Sequence, residues 1–240
     1  MNFELFCGCN ILVFQWIENP RSARLAGAQA RLEESIASHG LTPLRYPAGR
    51  DLVPIGDVLA EARRQTKGSA FVWCNSDVVL TKNPFEVPDP QQVYGFYRRE
   101  VPSGEICGGV DMYYIPVKWW DEYLAKDIPK LYLGASYVDW WISRAMQKVG
   151  AYENMVGYID HETHPQSAAA GSHANPYYQK NFRSYNAWAR RNGLEPIPAP
   201  PFLIPKIGHV WGVRDALRKI LAAKRPQKHE KGKNEVSSKV

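Results

Sequence analysis

Phe71-Val72-Trp73-Cys74-Asn75-Ser76-Asp77-Val78-Val79-Leu80 is the stretch on which the fold of this chain turns. An apolar run of strand type stops at Asn-Ser-Asp and then resumes. Such a run reads as a buried strand, and an ionised aspartate is almost never buried unpaired. The strand therefore ends here, with Asp77 turned toward a cation or a cleft. In open α/β sheets ligands sit beyond the carboxyl ends of the strands, so the position suits a binding site. An Asx-type turn capping a plain strand end would leave the same trace.

Working outward, Ile11-Leu12-Val13-Phe14 reads as a first strand and Asn19-Pro20-Arg21-Ser22 as a turn and cap. A helix over Ala23–Ser38 follows, with Leu25, Leu32 and Ile36 on one face and Gly40 as its stop. Residues 41–46 read as a second strand and 54–66 as a second helix. This β-α-β-α-β order predicts a largely parallel sheet with right-handed crossovers. No G-x-G-x-x-G or G-x-x-x-x-G-K-[ST] appears, which weighs against a Rossmann dehydrogenase or a P-loop enzyme. Further on, 93–97 and 112–115 read as short aromatic strands, and 118–125, 138–149 and 181–191 as helices. The span 160–179 reads as loop.

Three later segments carry side chains suited to the same site. They are Gly108-Gly109-Val110-Asp111, the stretch Gly134-Ala135-Ser136-Tyr137-Val138-Asp139-Trp140-Trp141, and His161-Glu162-Thr163-His164. In order and spacing the chain resembles a small GT-A glycosyltransferase over about residues 10–170. In that group a D-x-D or N-x-D motif ends a central strand, and Asn75-Ser76-Asp77 stands in that place. Gly109-Val110-Asp111 is similar to the family's G-x-D before an apolar strand. The segment around Asp139 is similar to the element that opens the acceptor-side helix, and His161 to His164 resembles a late H-x-x-H of related transferases.

The resemblance implies a single-domain α/β fold: a GT-A-like, Rossmann-type, mostly parallel mixed sheet flanked by helices. The catalytic domain would span residues 1–213, with a nucleotide-binding half to about residue 100 and an acceptor half beyond it. It implies an enzyme, a hexosyl- or pentosyltransferase that moves a sugar from a nucleotide-diphosphate donor to an acceptor hydroxyl. That acceptor would be a glycan, a lipid-linked sugar or a nucleic acid. A divalent ion, Mn²⁺ or Mg²⁺, would neutralise the departing diphosphate, held by Asp77 with His161 and His164 as further ligands. Asn75, Ser76, Gly109 and Asp111 would line the donor side.

Asp139 is the expected catalytic base. Carbohydrate sites join aromatic faces, here Trp140 and Trp141, to carboxylates, and an apolar surround raises a carboxylate's pKa toward general-base use. Plainer roles exist for each residue: a turn aspartate at Asp111, a helix N-cap at Asp139, packing indoles, and a hydrogen-bonded histidine in a loop before Pro165.

The chain has 240 residues and a formal net charge of +6. From residue 214 to the C-terminus there are nine Lys and Arg against three Asp and Glu, which leaves 21 of each sign in residues 1–213. The excess positive charge is thus confined to a tail, expected to be partly disordered and able to meet an anionic surface. Four cysteines, at 7, 9, 74 and 107, make neither a disulfide framework nor a paired metal hook. Reduced thiols, no signal peptide and no apolar run of transmembrane length fit a cytoplasmic protein, peripheral to a membrane if the tail docks there. Two other readings stand beside the transferase: a sugar nucleotidyltransferase, for which Asn19-Pro20-Arg21-Ser22 is a poor phosphate loop, and a non-enzymatic nucleic-acid or anionic-surface binding protein working through the tail.

Overall fold

The first half of the chain alternates as the sequence predicts: β1 (Ile11–Ile17), α1 (Ala23–Ser38), β2 (Thr42–Ala48), α2 (Ile55–Gln65) and β3 (Ala70–Cys74). The structure is a computed structural model that describes residues 11–17, 23–48, 53–162 and 176–198. These residues belong to one compact unit that closes at Pro198. The expected domain boundary near residue 213, the basic tail, Cys7, Cys9, residues 19–22 and His164 lie outside the described residues. Among the described residues no helix is long and apolar enough to cross a membrane.

Beyond β3 come β4 (Val78–Leu80), β5 (Val93–Val101), β6 (Ile106–Pro116) and α3 (Val117–Glu122). They are followed by α4 (Val138–Lys148), β7 (Tyr152–Glu162) and α5 (Pro176–Arg191). Seven strands form one mixed sheet in the order β2-β1-β3-β6-β5-β7-β4. The pairs β1–β2 and β1–β3 are parallel, as the β-α-β-α-β reading requires, and β5–β7 is parallel as well. The β3–β6, β5–β6 and β4–β7 pairs are antiparallel.

That strand order forces the sheet to curl. β3 and β4 stand four positions apart, which in a flat sheet would be about 19 Å. Only Asn75, Ser76 and Asp77 join them, and the four steps from Cys74 to Val78 reach at most about 14 Å. The far edge must bend back toward the centre. Asn75-Ser76-Asp77 therefore bridges the open end of a curled sheet, where β3, β6, β5, β7 and β4 converge.

Both faces of the central strands are apolar. All five residues of β3 are buried, the pattern of a strand covered on both sides. On one face Ala70, Val72 and Cys74 join Leu12, Phe14, Phe96 and Met112, closed over by Leu32 and Ile36 of α1. On the other, Phe71 meets Trp120 of α3 edge-on and Trp73 stacks on Tyr113 of β6. The i, i+4 spacing of Leu32 and Ile36 sets the buried stripe of α1, and Gly40 at φ +66° ends the helix as expected.

β7 departs from the sequence reading, which takes residues 160–179 as loop. The first half of the strand is largely exposed, so Tyr152 to Gly157 shows no apolar alternation. Pairing with β5 on one side and β4 on the other makes it a strand nonetheless. β5 and β6 run longer than their aromatic cores, as a hairpin whose charged and glycine-rich ends also lack an apolar pattern. α5 begins at Pro176, upstream of the expected residue 181; proline suits a first helical turn, where its missing N–H is no loss.

Candidate active site

The strand ends place four chemistry-bearing segments side by side. The backbone N–H of Asn75 donates to the Asp111 carbonyl at 2.8 Å, carrying the β3–β6 ladder one residue past Cys74. The Asn75 side-chain amide donates to Asp111 Oδ1. Asp111 itself sits at a bulge: Phe96 pairs with Met112 and Tyr97 with Val110, which leaves Asp111 unmatched on β6. A bulge re-aims a side chain that regular pleating would fix elsewhere. At 5% exposure Asp111 needs a cation, and Arg98 of β5 supplies one at 2.9 Å from Oδ2.

Arg98 continues the chain. Its Nε donates to Glu100 Oε1 at 2.6 Å, and Glu100 Oε2 meets His161 Nδ1 at 2.9 Å. His161 Nε2 then lies 3.4 Å from Asp77 Oδ2. Register explains the meeting: His161 stands opposite Val78 on one side and Glu100 on the other, so the β3–β4 turn brings Asp77 to the Nε2 side of the ring. The line Asn75–Asp111–Arg98–Glu100–His161–Asp77 spans five strand ends.

Charges along this line are strongly coupled. Burial would raise the Glu100 carboxyl, but hydrogen bonds from His161 and Arg98 outweigh it and hold it at about 2. The hydrogen bond with Asp77, opposed by burial and helped by Glu100, pushes His161 above its ordinary 6.5. Burial pushes Asp111 up, with Arg98 opposing and the charge of Asp77 adding to the rise. Asp77 and Asp111 are thus within electrostatic reach of each other.

Asp139 lies in the first turn of α4. Tyr137, at φ +82°, caps this helix without a side-chain bond, so Asp139 is the second helical residue and not the N-cap that the plainer reading assigned. A buried non-glycine residue in the left-handed region is strained. Tyr137 is held there by stacking on Tyr185 and by a 2.5 Å hydrogen bond between its hydroxyl and that of Tyr178. The half-buried carboxyl of Asp139 is raised to about 6, chiefly by burial. Backbone N–H groups of Asp139 itself, Trp140 and Val110 pull the other way, and the charge of Asp111 pushes it further up. Asp111 therefore links electrostatically to both Asp77 and Asp139.

Asp139 opens onto a cavity of about 160 Å³ whose walls include Tyr97, Gly108, Trp140, Arg144 and Gln147. A Cβ added at Gly108 or Gly109 would meet nothing within 4 Å, so the β6 edge beside this cavity is open space. Trp140 is 43% exposed, whereas Trp141 is fully buried. Of the two, only Trp140 lines the cavity. Trp141 belongs to the core face of α4 with Ile142, Ala145 and Met146.

The sequence-predicted residues thus separate into groups. Asp77, Asn75, Asp111 and His161 come together, Ser76 lies in the turn between Asn75 and Asp77, and Asp139 with Trp140 forms the second half of the site. Asn75 spends its amide nitrogen on Asp111, so its role is to orient that carboxylate. His161 sits on a strand and not in a loop. Sequence reasoning missed Arg98 and Glu100. Their i, i+2 spacing in an otherwise aromatic strand, which puts both on one face, was the available signal.

Asp77 and His161 fit two neighbouring positions of a metal shell. Neighbouring ligands of an octahedral Mg²⁺-sized ion lie about 3 Å apart, close to the observed 3.4 Å. Glu100 on the second ring nitrogen supplies the outer-shell carboxylate that metal-bound histidines usually have. Among the described residues there is no group of three or more His, Cys, Asp or Glu placed to hold an ion alone, so the remaining positions would fall to ligand oxygens and water.

No protein-family model and no curated protein matches this sequence. Among solved structures, a glycosyltransferase involved in glycosylation of the major capsid of PBCV-1 is similar at 14% identity and a TM-score of 0.37, covering 64% of this chain and 93% of that one. A Drosophila galactosyltransferase solved with manganese, UDP-Gal and xylobiose is similar at 9% identity and a TM-score of 0.43, covering 68% of each chain. The Streptococcus pneumoniae glycosyltransferase GlyE is similar at 10% identity and a TM-score of 0.36, covering 80% of this chain and 66% of that one. Each of these neighbours is a glycosyltransferase, but likenesses this remote carry no activity across to this chain.

Proposed function

We propose that this chain is a metal-dependent glycosyltransferase that moves a sugar from a nucleotide-diphosphate donor to an acceptor hydroxyl. The observation that carries this reading is the pairing of two carboxylates of different character across Asp111. Asp77 faces the His161 ring at the strand ends, and Asp139, raised to about 6, faces a cavity with an exposed indole. One end suits a cation and the diphosphate; the other suits proton removal from a sugar hydroxyl.

Asp77 and His161 would hold the ion, and the imidazole nitrogen would favour Mn²⁺ over Mg²⁺, which takes oxygen ligands. Bound there, the ion supplies Lewis-acid neutralisation of the leaving diphosphate. Asn75 and Arg98 fix Asp111 between the two ends. Asp139 accepts the proton of the acceptor hydroxyl as the oxygen forms its bond to the anomeric carbon. The bond from that carbon to the diphosphate breaks, and its electron pair leaves with the nucleotide. A base on the acceptor side implies inversion.

Thermal stabilisation by a panel of nucleotide-diphosphate sugars, with and without Mn²⁺, tests the reading. At least one donor should raise the melting temperature only with metal, and Asp77→Ala should abolish that rise while Asp139→Asn keeps it. No stabilisation by any donor, or stabilisation indifferent to metal and to Asp77, would overturn it.

A further inference from the structure

We infer that the acceptor carries an anionic group, as in a uronic acid or a phosphorylated sugar, and that Arg144 reads it. This inference rests on the transferase reading of the same site. α4 presents two adjacent stripes to the Asp139 cavity: Asp139, Ser143 and Gln147 at i, i+4 and i+8, and Trp140 with Arg144 at i, i+4. Trp141, Ile142, Ala145 and Met146 point the other way, into the core.

The α4 side chains that face the cavity are therefore a carboxyl, a hydroxyl, an amide, an indole and a guanidinium. They offer a base for a hydroxyl, a flat apolar wall for a sugar ring, and a fork of donors for an anion. Five residues along a helix separate Asp139 and Arg144 by about 7.5 Å on its axis, which places the cation about one sugar residue from the base.

The charge of Arg144 is unspent. Arg63, Arg64, Arg98, Arg99 and Arg191 each lie against a carboxylate. Among the described residues Arg144 makes no such pair. Arg144 follows Trp140 by one helical turn on the cavity wall, and its field reaches Tyr185, whose ring meets Trp140 edge-on. The remaining walls, Tyr97, Gly108 and Gln147 among them, are uncharged. An arginine is suited to bidentate recognition of carboxylate or phosphate, and a neutral acceptor would leave it idle beside the reacting hydroxyl.

The test compares methyl β-D-glucuronide with methyl β-D-glucoside, and glucose 6-phosphate with glucose, by NMR-detected titration of the full chain. The anionic member of at least one pair should bind about tenfold tighter, and Arg144→Gln should erase the preference while leaving the neutral sugar's affinity unchanged. Whichever pair shows the larger gap identifies the anion as carboxylate or phosphate. Equal binding within both pairs, or no binding, would overturn the inference. So would a preference that survives Arg144→Gln, which would locate the anion elsewhere, for example on the basic tail. Donor binding, measured separately, can fail while the sugar preference holds, and that outcome would count against the transferase reading alone.

Discussion

Replacing Asp139 by asparagine should make the protein more stable at pH 8 while removing transfer. Burial raises this carboxyl from the ordinary 3.8 to about 6. Each tenfold change in proton affinity is worth about 1.4 kcal/mol, so the ionised group costs the fold up to about 3 kcal/mol. Water at the cavity mouth screens part of that figure. The sign follows from linkage: below the unfolded pKa both states are protonated and nothing is lost. As pH rises toward 6 the unfolded chain ionises first, and the stability carried by the protonated carboxyl disappears. Urea unfolding at pH 4.5 and pH 8 should therefore show a gap between Asp139→Asn and the parent that grows with pH by up to about 2 kcal/mol, since the unfolded carboxyl is already largely ionised at pH 4.5. The parent's kcat/KM should rise through pH 6 to a plateau, since only the carboxylate accepts a proton. A gap that stays constant between the two pH values would refute the argument that Asp139 is held out of its ordinary range.

Three further outcomes follow from the same geometry. Arg98→Met leaves Asp111 and Glu100 without their shared cation and should cost roughly 3–5 kcal/mol in urea unfolding; a cost below about 1 kcal/mol would show the network to be incidental. A Cβ at Gly95 would stand 2.1 Å from the Tyr152 hydroxyl and 2.9 Å from its Cζ, so Gly95→Ala should lower the melting temperature, and Tyr152→Phe in the same chain should recover part of the loss. No loss at all, or a loss that Tyr152→Phe leaves untouched, would contradict the crowding. Mn²⁺ binding should displace the proton that Asp77 and Glu100 help hold on His161; calorimetry in two buffers of different ionisation enthalpy should detect its release, and an identical heat in both would exclude His161 as a ligand.

Much of this was legible in the sequence because its signals are local. The β-α-β-α-β half announces itself through helical spacing in Leu32 and Ile36, the Gly40 stop, and an apolar run broken by Asn75-Ser76-Asp77. Asp139 and Trp140, singled out as residue types that suit sugar recognition, do line one cavity. What escaped depends on partners distant in sequence. β7 is mostly exposed before Tyr158, and only its two neighbours make it a strand. Arg98 and Glu100 acquire meaning from Asp111 and His161, which pairing register brings to them. Trp140 and Trp141 are equivalent as text, and the rotation of α4 sends one to the surface and the other to the core. The curl that gathers the site follows from strand order and a three-residue linker, and no periodicity encodes it.

Diffraction from crystals of the protein soaked with Mn²⁺ and a nucleotide diphosphate tests the central claim most directly. The account predicts an anomalous peak bonded to Asp77 Oδ2 and His161 Nε2, with the diphosphate oxygens completing its shell and the nucleotide lying over the ends of β1 and β3. Nucleotide bound without metal at Asp77, or metal held elsewhere, would contradict it.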